Sequence, residues 1–267
     1  MKNVLVLIHD DAGQEARLQA ALDLTRALGG HLTCLDVVQL PMLVGDFFSA
    51  EGYAVMLEDN EAREAGNRDR IMQHLSGEDV AWDMCKSTGE IGDCIEASAG
   101  LSDIVVANTR LEDVTSPQMA SIVSSLVLRL HKPVLAIPQD WRRLDLAGNV
   151  LIAWDGSVPA MAALTGSIPL LKLAGSVHLV QVGEPACAAT IEEAAVYLSR
   201  HDIEPEVKEI KGEDVRPDDI VAEQARRLNA AYLVMGAYGH SHVREAIFGG
   251  VTHRMLDRAE IPLLLAH

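Results

Sequence analysis

Asn3-Val4-Leu5-Val6-Leu7-Ile8-His9-Asp10 and Asn149-Val150-Leu151-Ile152-Ala153-Trp154-Asp155-Gly156 share one pattern: an asparagine, a short apolar run and a polar turn. An apolar run of that length between turn residues fits a strand buried on both faces. Each run leads into a helical pattern (16–28; 160–173), a glycine turn (Gly29-Gly30; Gly175) and a second apolar run (32–38; 177–182). Agreement in order and in length marks an internal repeat.

The repeat continues to the far ends. Asp103-Ile104-Val105-Val106-Ala107 parallels Tyr232-Leu233-Val234-Met235-Gly236, and Lys132-Pro133-Val134-Leu135-Ala136 parallels Ile261-Pro262-Leu263-Leu264-Leu265, both pairs 129 residues apart. Between them, 81–86 and 206–210 read as third strands, each followed by a helix (91–100; 218–229). Every half therefore reads β-α-β-α-β-α-β-α-β. Apolar strands alternating with amphipathic helices, joined by right-handed crossovers, predict an α/β fold of two doubly wound five-stranded parallel-sheet domains in tandem, Rossmann-like. The expected domains are 1–140 and 148–267, with the boundary in 139–148. The first carries an insertion at about 41–55, holding Gly45, Phe47, Phe48 and Gly52; it reads either as a docking or lid segment or as a flap over its own domain.

Composition narrows the class. The 267 residues are 49% hydrophobic and 23% charged, enough to bury a sizeable core and too apolar for wholesale disorder. Only 4% are aromatic, so the core must be built from Ala, Val, Ile and Leu. The net charge of −17, acidic in both halves, repels nucleic acid and anionic membranes, and neither is an expected partner. Cys34, Cys85, Cys94 and Cys187 form no CxxC pair, which fits free thiols in a reducing compartment and places the protein in the cytoplasm. No apolar run is long enough for a signal peptide or a membrane span.

Ligands of open α/β sheets bind beyond the carboxyl ends of the strands, where strand order reverses. There the second half carries Gly236-Ala237-Tyr238-Gly239, then nine residues, then Gly249-Gly250-Val251-Thr252. A glycine-rich turn from strand to helix exposes backbone N–H groups to a phosphate. Asp155 ends the first strand of the same half, placed to meet a ribose hydroxyl or a base edge. Its alternative is a helix cap made by Asp155 or Ser157 ahead of Pro159, which needs no ligand.

With these residues both halves resemble the universal stress protein domain, and the whole chain resembles the tandem two-domain form of that family. The resemblance implies an adenine nucleotide alpha-hydrolase-like fold. ATP-binding members carry glycine, two residues, glycine, nine residues, glycine, then serine or threonine; Gly236, Gly239 and Gly249 stand at those spacings. Gly250 replaces the hydroxyl residue, with Thr252 close by as a substitute. The resemblance further implies Ala153 and Asp155 beside the nucleoside, Val182 offering its backbone to adenine, and Met235 lining the pocket. Val251 and Thr252 follow the second glycine pair, and His240, His242 and Arg244 could lend charge to phosphates or belong to a solvated loop. ATP, or ADP or AMP, with Mg2+ at the phosphates, is the implied ligand.

At the offset of 129 the first half has Ala107, Arg110 and Ala120 where the second has its glycines, and His9 or Asp10 where it has Asp155. Its site is expected to be degenerate, empty or differently occupied. No GxSxG elbow is present, and His31, His74, His131, His178 and His201 lack metal-site spacing, so neither a serine hydrolase nor a metal site is expected. The leading function is an adenine-nucleotide-binding stress or signalling protein whose nucleotide state alters pairing with a protein partner. Slow ATP hydrolysis at the same site and a ligand-free scaffold are the alternatives. The halves are expected to pair as an intramolecular pseudo-dimer, compatible with a further homodimer.

Overall fold

In the computed structural model, the structure describes residues 1–40, 50–111, 118–183, 189–211, 216–239 and 250–267. The first half runs β1 (Asn3–Ile8), α1 (Gln14–Leu28), β2 (His31–Gln39), α2 (Ala50–Leu75), β3 (Ala81–Gly89), α3 (Ile91–Ser98), β4 (Ile104–Asn108), α4 (Met119–Leu130) and β5 (Val134–Ile137). The second runs β6 (Asn149–Trp154), α5 (Val158–Leu171), β7 (Ser176–Val182), α6 (Ile191–Ser199), β8 (Glu206–Ile210), α7 (Pro217–Arg227), β9 (Ala230–Gly236), α8 (Val251–Asp257) and β10 (Leu263–Ala266). Among the described residues no helix is long and apolar enough to cross a membrane.

The strands form one ten-stranded sheet in the order β3-β2-β1-β4-β5-β10-β9-β6-β7-β8. Within each half all neighbours are parallel. The halves meet at β5 and β10, which pair antiparallel with Leu264 opposite Leu135. Each strand would otherwise leave a bare apolar edge, so the joint covers both. Helices lie on the two faces over two cores, each drawing on both halves: Val6, Leu22, Ile152 and Leu164 belong to one, Leu7, Val123, Leu233 and Leu256 to the other.

Residues 50–55, read as part of a loop insertion, belong to α2, a helix of 26 residues whose Glu64 and Asn67 are buried. The rest of that segment, 41–49, lies outside the described residues.

Candidate functional site

Beyond the carboxyl ends of β6, β7 and β9 lies a cleft of about 290 Å³. β6 supplies Ala153 and Trp154 and the turn after it Asp155; β7 supplies Val180 and Val182; β9 and its loop supply Met235, Gly236, Tyr238 and Gly239. Pro217 and Val221 of α7 form one wall, and Val251 and Thr252 open α8 on the other. Of the residues singled out in the sequence, Ala153, Asp155, Val182, Met235, Gly236, Gly239, Val251 and Thr252 thus meet at one opening. Gly250 sits just ahead as the N-cap of α8. His240, His242, Arg244 and Gly249 lie outside the described residues.

Of the two uses weighed for Asp155 and Ser157, the helix cap is present. Ser157 is the N-cap of α5, its Oγ accepting from Ala160 N at 3.2 Å with Pro159 behind it. Asp155 Oδ1 accepts from Ser157 N at 2.9 Å, bracing that cap. The bond engages one carboxylate oxygen; Asp155 is half-buried at the mouth of the cleft, and Oδ2 faces Gly239.

The glycines have a packing reason of their own. A Cβ at Gly236 would stand 2.3 Å from Ala160 N and 2.6 Å from Pro159 C, because the first turn of α5 presses against the end of β9. A Cβ at Gly239 would stand 2.9 Å from Ser157 Oγ and 3.7 Å from Asp155 Oδ2. Glycine at 236 is therefore demanded by the backbone of α5, and glycine at 239 by the side chain of the Ser157 cap. The Thr252 hydroxyl, buried, accepts from Tyr238 N at 3.2 Å and ties the loop to α8.

The walls are fixed by a clamp that the sequence did not announce. Asp218, 3% exposed at the start of α7, receives two bonds of 2.8 Å from Arg254 of α8 and one of 2.6 Å from Arg216. Burial pushes its carboxyl up, but the hydrogen bonds of Arg254 and Arg216 outweigh that and hold it at about 2. Tyr238, Pro217 and Val221 also escaped the sequence reading. An unremarkable proline and valine at a helix start give no signal until the helix is seen beside the strand ends.

The corresponding corner of the first half is built from the same contact with the sizes exchanged. Val6 pairs with Val106 where Ile152 pairs with Val234, so Gly236 corresponds to Asn108 and Gly239 to Leu111. The offset of 129 is thus one residue out on β4: Asn108 and Leu111, rather than Ala107 and Arg110, replace the glycines. Here the small residue is Gly13, at the start of α1, where a Cβ would meet Leu111 at 2.5 Å and Asn108 at 2.6 Å. Fully buried Arg17 binds Leu7 O at 2.7 Å, His9 O at 2.8 Å and both Asp11 oxygens at 2.8 and 2.9 Å, and also donates to Asn108 Oδ1. His9, in register with Asp155, is buried against Glu64 of α2 at 2.9 Å.

Comparison with known proteins bears on the second half first. Residues 147–267 match the model of the universal stress protein family. A universal stress protein of Synechocystis sp. is 27% identical over 186 residues, which take in 66% of this chain and 62% of that relative, so less than two thirds of its length is matched. Among solved structures, a universal stress protein from Archaeoglobus fulgidus DSM 4304 superposes with a TM-score of 0.73 at 18% identity, covering 98% of this chain and 95% of its own. A functionally unknown protein from Pseudomonas aeruginosa PAO1 gives 0.59 at 16% identity, covering 100% and 92%. At these identities the likeness is one of fold, and it extends over both halves.

Proposed function

We propose that the cleft of the second half, whose residues 147–267 match the universal stress protein family model, holds an adenine nucleotide, ATP, ADP or AMP. What carries the proposal is the meeting of an apolar slot, a half-buried carboxylate and a glycine-bearing turn at one opening. The slot between Val180, Val221 and Met235 suits a flat base, which would gain burial there without needing a charged partner. The backbone of Val182, at the end of β7, gives the base edge a hydrogen-bonding partner, while the Gly183 N–H is spent on Ile210 O at 3.0 Å. Asp155 takes the ribose hydroxyls.

The phosphates run over the backbone of Gly239, Gly250, Val251 and Thr252. Asp155 Oδ2, which faces Gly239, is the carboxylate available to an accompanying Mg2+. Bound nucleotide supplies negative charge and a wedge between the β9 loop and the pair α7 and α8. The two halves then act as unlike domains, 1–140 and 148–267: the second takes the ligand, the first pairs with it, and occupancy alters the surface offered to a protein partner.

The test is to denature freshly purified protein, clear the precipitate and run the supernatant on ion-exchange chromatography with mass detection. Adenine nucleotide at close to one per chain is expected. An empty protein that also shows no calorimetric response to millimolar ATP, ADP or AMP would end the proposal.

A further inference from the structure

A side-chain bridge joins the first half to the cleft of the second. Tyr238, between the two loop glycines, lines the cleft and holds a left-handed backbone, φ 60°. A residue with a Cβ occupies that region at a cost, and stays there when surrounding contacts over-determine it. Two such contacts are on its own atoms. Its N–H donates to Thr252 Oγ1 on α8, and its phenol hydroxyl donates to Ser124 Oγ on α4, 114 positions away in the chain. Ser124 is in turn fixed, its Oγ donating to Ala120 O at 2.7 Å one turn back. α4 and α8 pack against each other across the antiparallel β5 and β10 joint, so the helix carrying Ser124 is part of a rigid bed.

We infer that Ser124 of the first half is a positioning residue for the cleft of the second, acting through Tyr238 on the loop between Gly236 and Gly239. The inference rests on the nucleotide reading and adds that the ligand site is complete only with the first half in place. The loop holds the phosphate end, and the base slot between Val180 and Met235 receives no part of this bridge. Loss of the Ser124 hydroxyl should therefore weaken ligands with phosphates and spare adenosine.

The experiment compares dissociation constants of ATP and of adenosine for the full chain and for Ser124→Ala, Ser124→Thr, Tyr238→Phe and the double variant Ser124→Ala with Tyr238→Phe. Ser124→Ala should weaken ATP by about twofold to tenfold, the span one hydrogen bond commands, with adenosine unchanged. Ser124→Thr, which keeps the hydroxyl, should restore ATP, and the double variant should lose no more than either single one. Unchanged ATP affinity in Ser124→Ala, equal losses for ATP and adenosine, or losses that multiply in the double variant would each overturn the inference. If the unaltered chain binds neither ligand, the nucleotide reading fails instead. Amide exchange of residues 236–239 then decides the bridge by itself: faster exchange in Ser124→Ala supports it, and unchanged protection overturns it.

Discussion

The two halves solve one packing problem in opposite ways. In each, a helix start must press against the loop leaving the strand beside it, and only one of the two surfaces can carry side chains. In the second half the loop gives way, with Gly236 and Gly239 facing Ser157, Pro159 and Ala160. In the first the helix start gives way, with Gly13 facing Asn108 and Leu111. A loop of glycines leaves backbone at the rim of an open cleft, whereas a loop bearing Asn108 and Leu111 is filled in, and Arg17 stitches it shut. The difference between an open corner and a sealed one is thus which partner in a single contact holds the small residue.

Changes that exchange these roles should have graded costs. Gly236→Val places a branched side chain into the backbone of α5, and its cost in denaturant unfolding should exceed about 5 kcal/mol, among the largest a single substitution produces. A loss under about 1 kcal/mol would show that β9 and α5 are not so closely apposed, and for the same reason this variant says nothing about ligand binding. Arg17→Met takes the guanidinium from the buried Asp11 carboxylate, whose Oδ1 keeps only Gly13 N–H, and from Leu7 O and His9 O; about 3 to 5 kcal/mol should be lost in the same assay, and near-neutral unfolding would refute the lock.

Milder effects belong to the second half. The folded Asp218 carboxyl, at about 2, lies below its ordinary value of 3.8. Its contribution is therefore complete above pH 4 and is lost as pH falls through 2, amounting to about 2 kcal/mol. Asp218→Asn should flatten that part of the stability profile, and an unaltered acid limb would exclude the clamp as its source. Ser157→Ala removes the cap of α5 and should cost about 1 kcal/mol in thermal unfolding; no measurable change would mean that Asp155 and Pro159 fix the helix start without it.

Much of this was legible in the chain because strands buried on both faces leave unbroken apolar runs, as at 4–8 and 150–152. Even β8 appears at its expected residues, 206–210, although it lies at the edge and is largely exposed. The cleft was legible because glycine spacing and Asp155 are local signals. Contacts between distant residues were not. Nothing in Val134–Ile137 or Leu263–Ala266 says that these strands pair with each other, or that the pairing is antiparallel, since an apolar run fits any apolar neighbour. Arg17 reads as one more polar helix residue until Leu7, Asp11 and Asn108 are seen around it. The one-residue slip on β4 has the same origin: matching apolar residues align equally well in either register, and only the pairing of Val6 with Val106 decides.

Ala153 tests the contrast most directly. It is half-buried at the floor of the cleft, whereas Leu7, its counterpart in the first half, is fully buried. Ala153→Leu therefore gives the second half a residue that the same fold already accommodates. Calorimetric titration with ATP should show one nucleotide per unaltered chain and at least a tenfold weaker response, roughly 1.4 kcal/mol, in Ala153→Leu, with thermal unfolding little changed. Equal binding by the two proteins would contradict a nucleotide site in this cleft, and two nucleotides per chain would contradict a sealed first half.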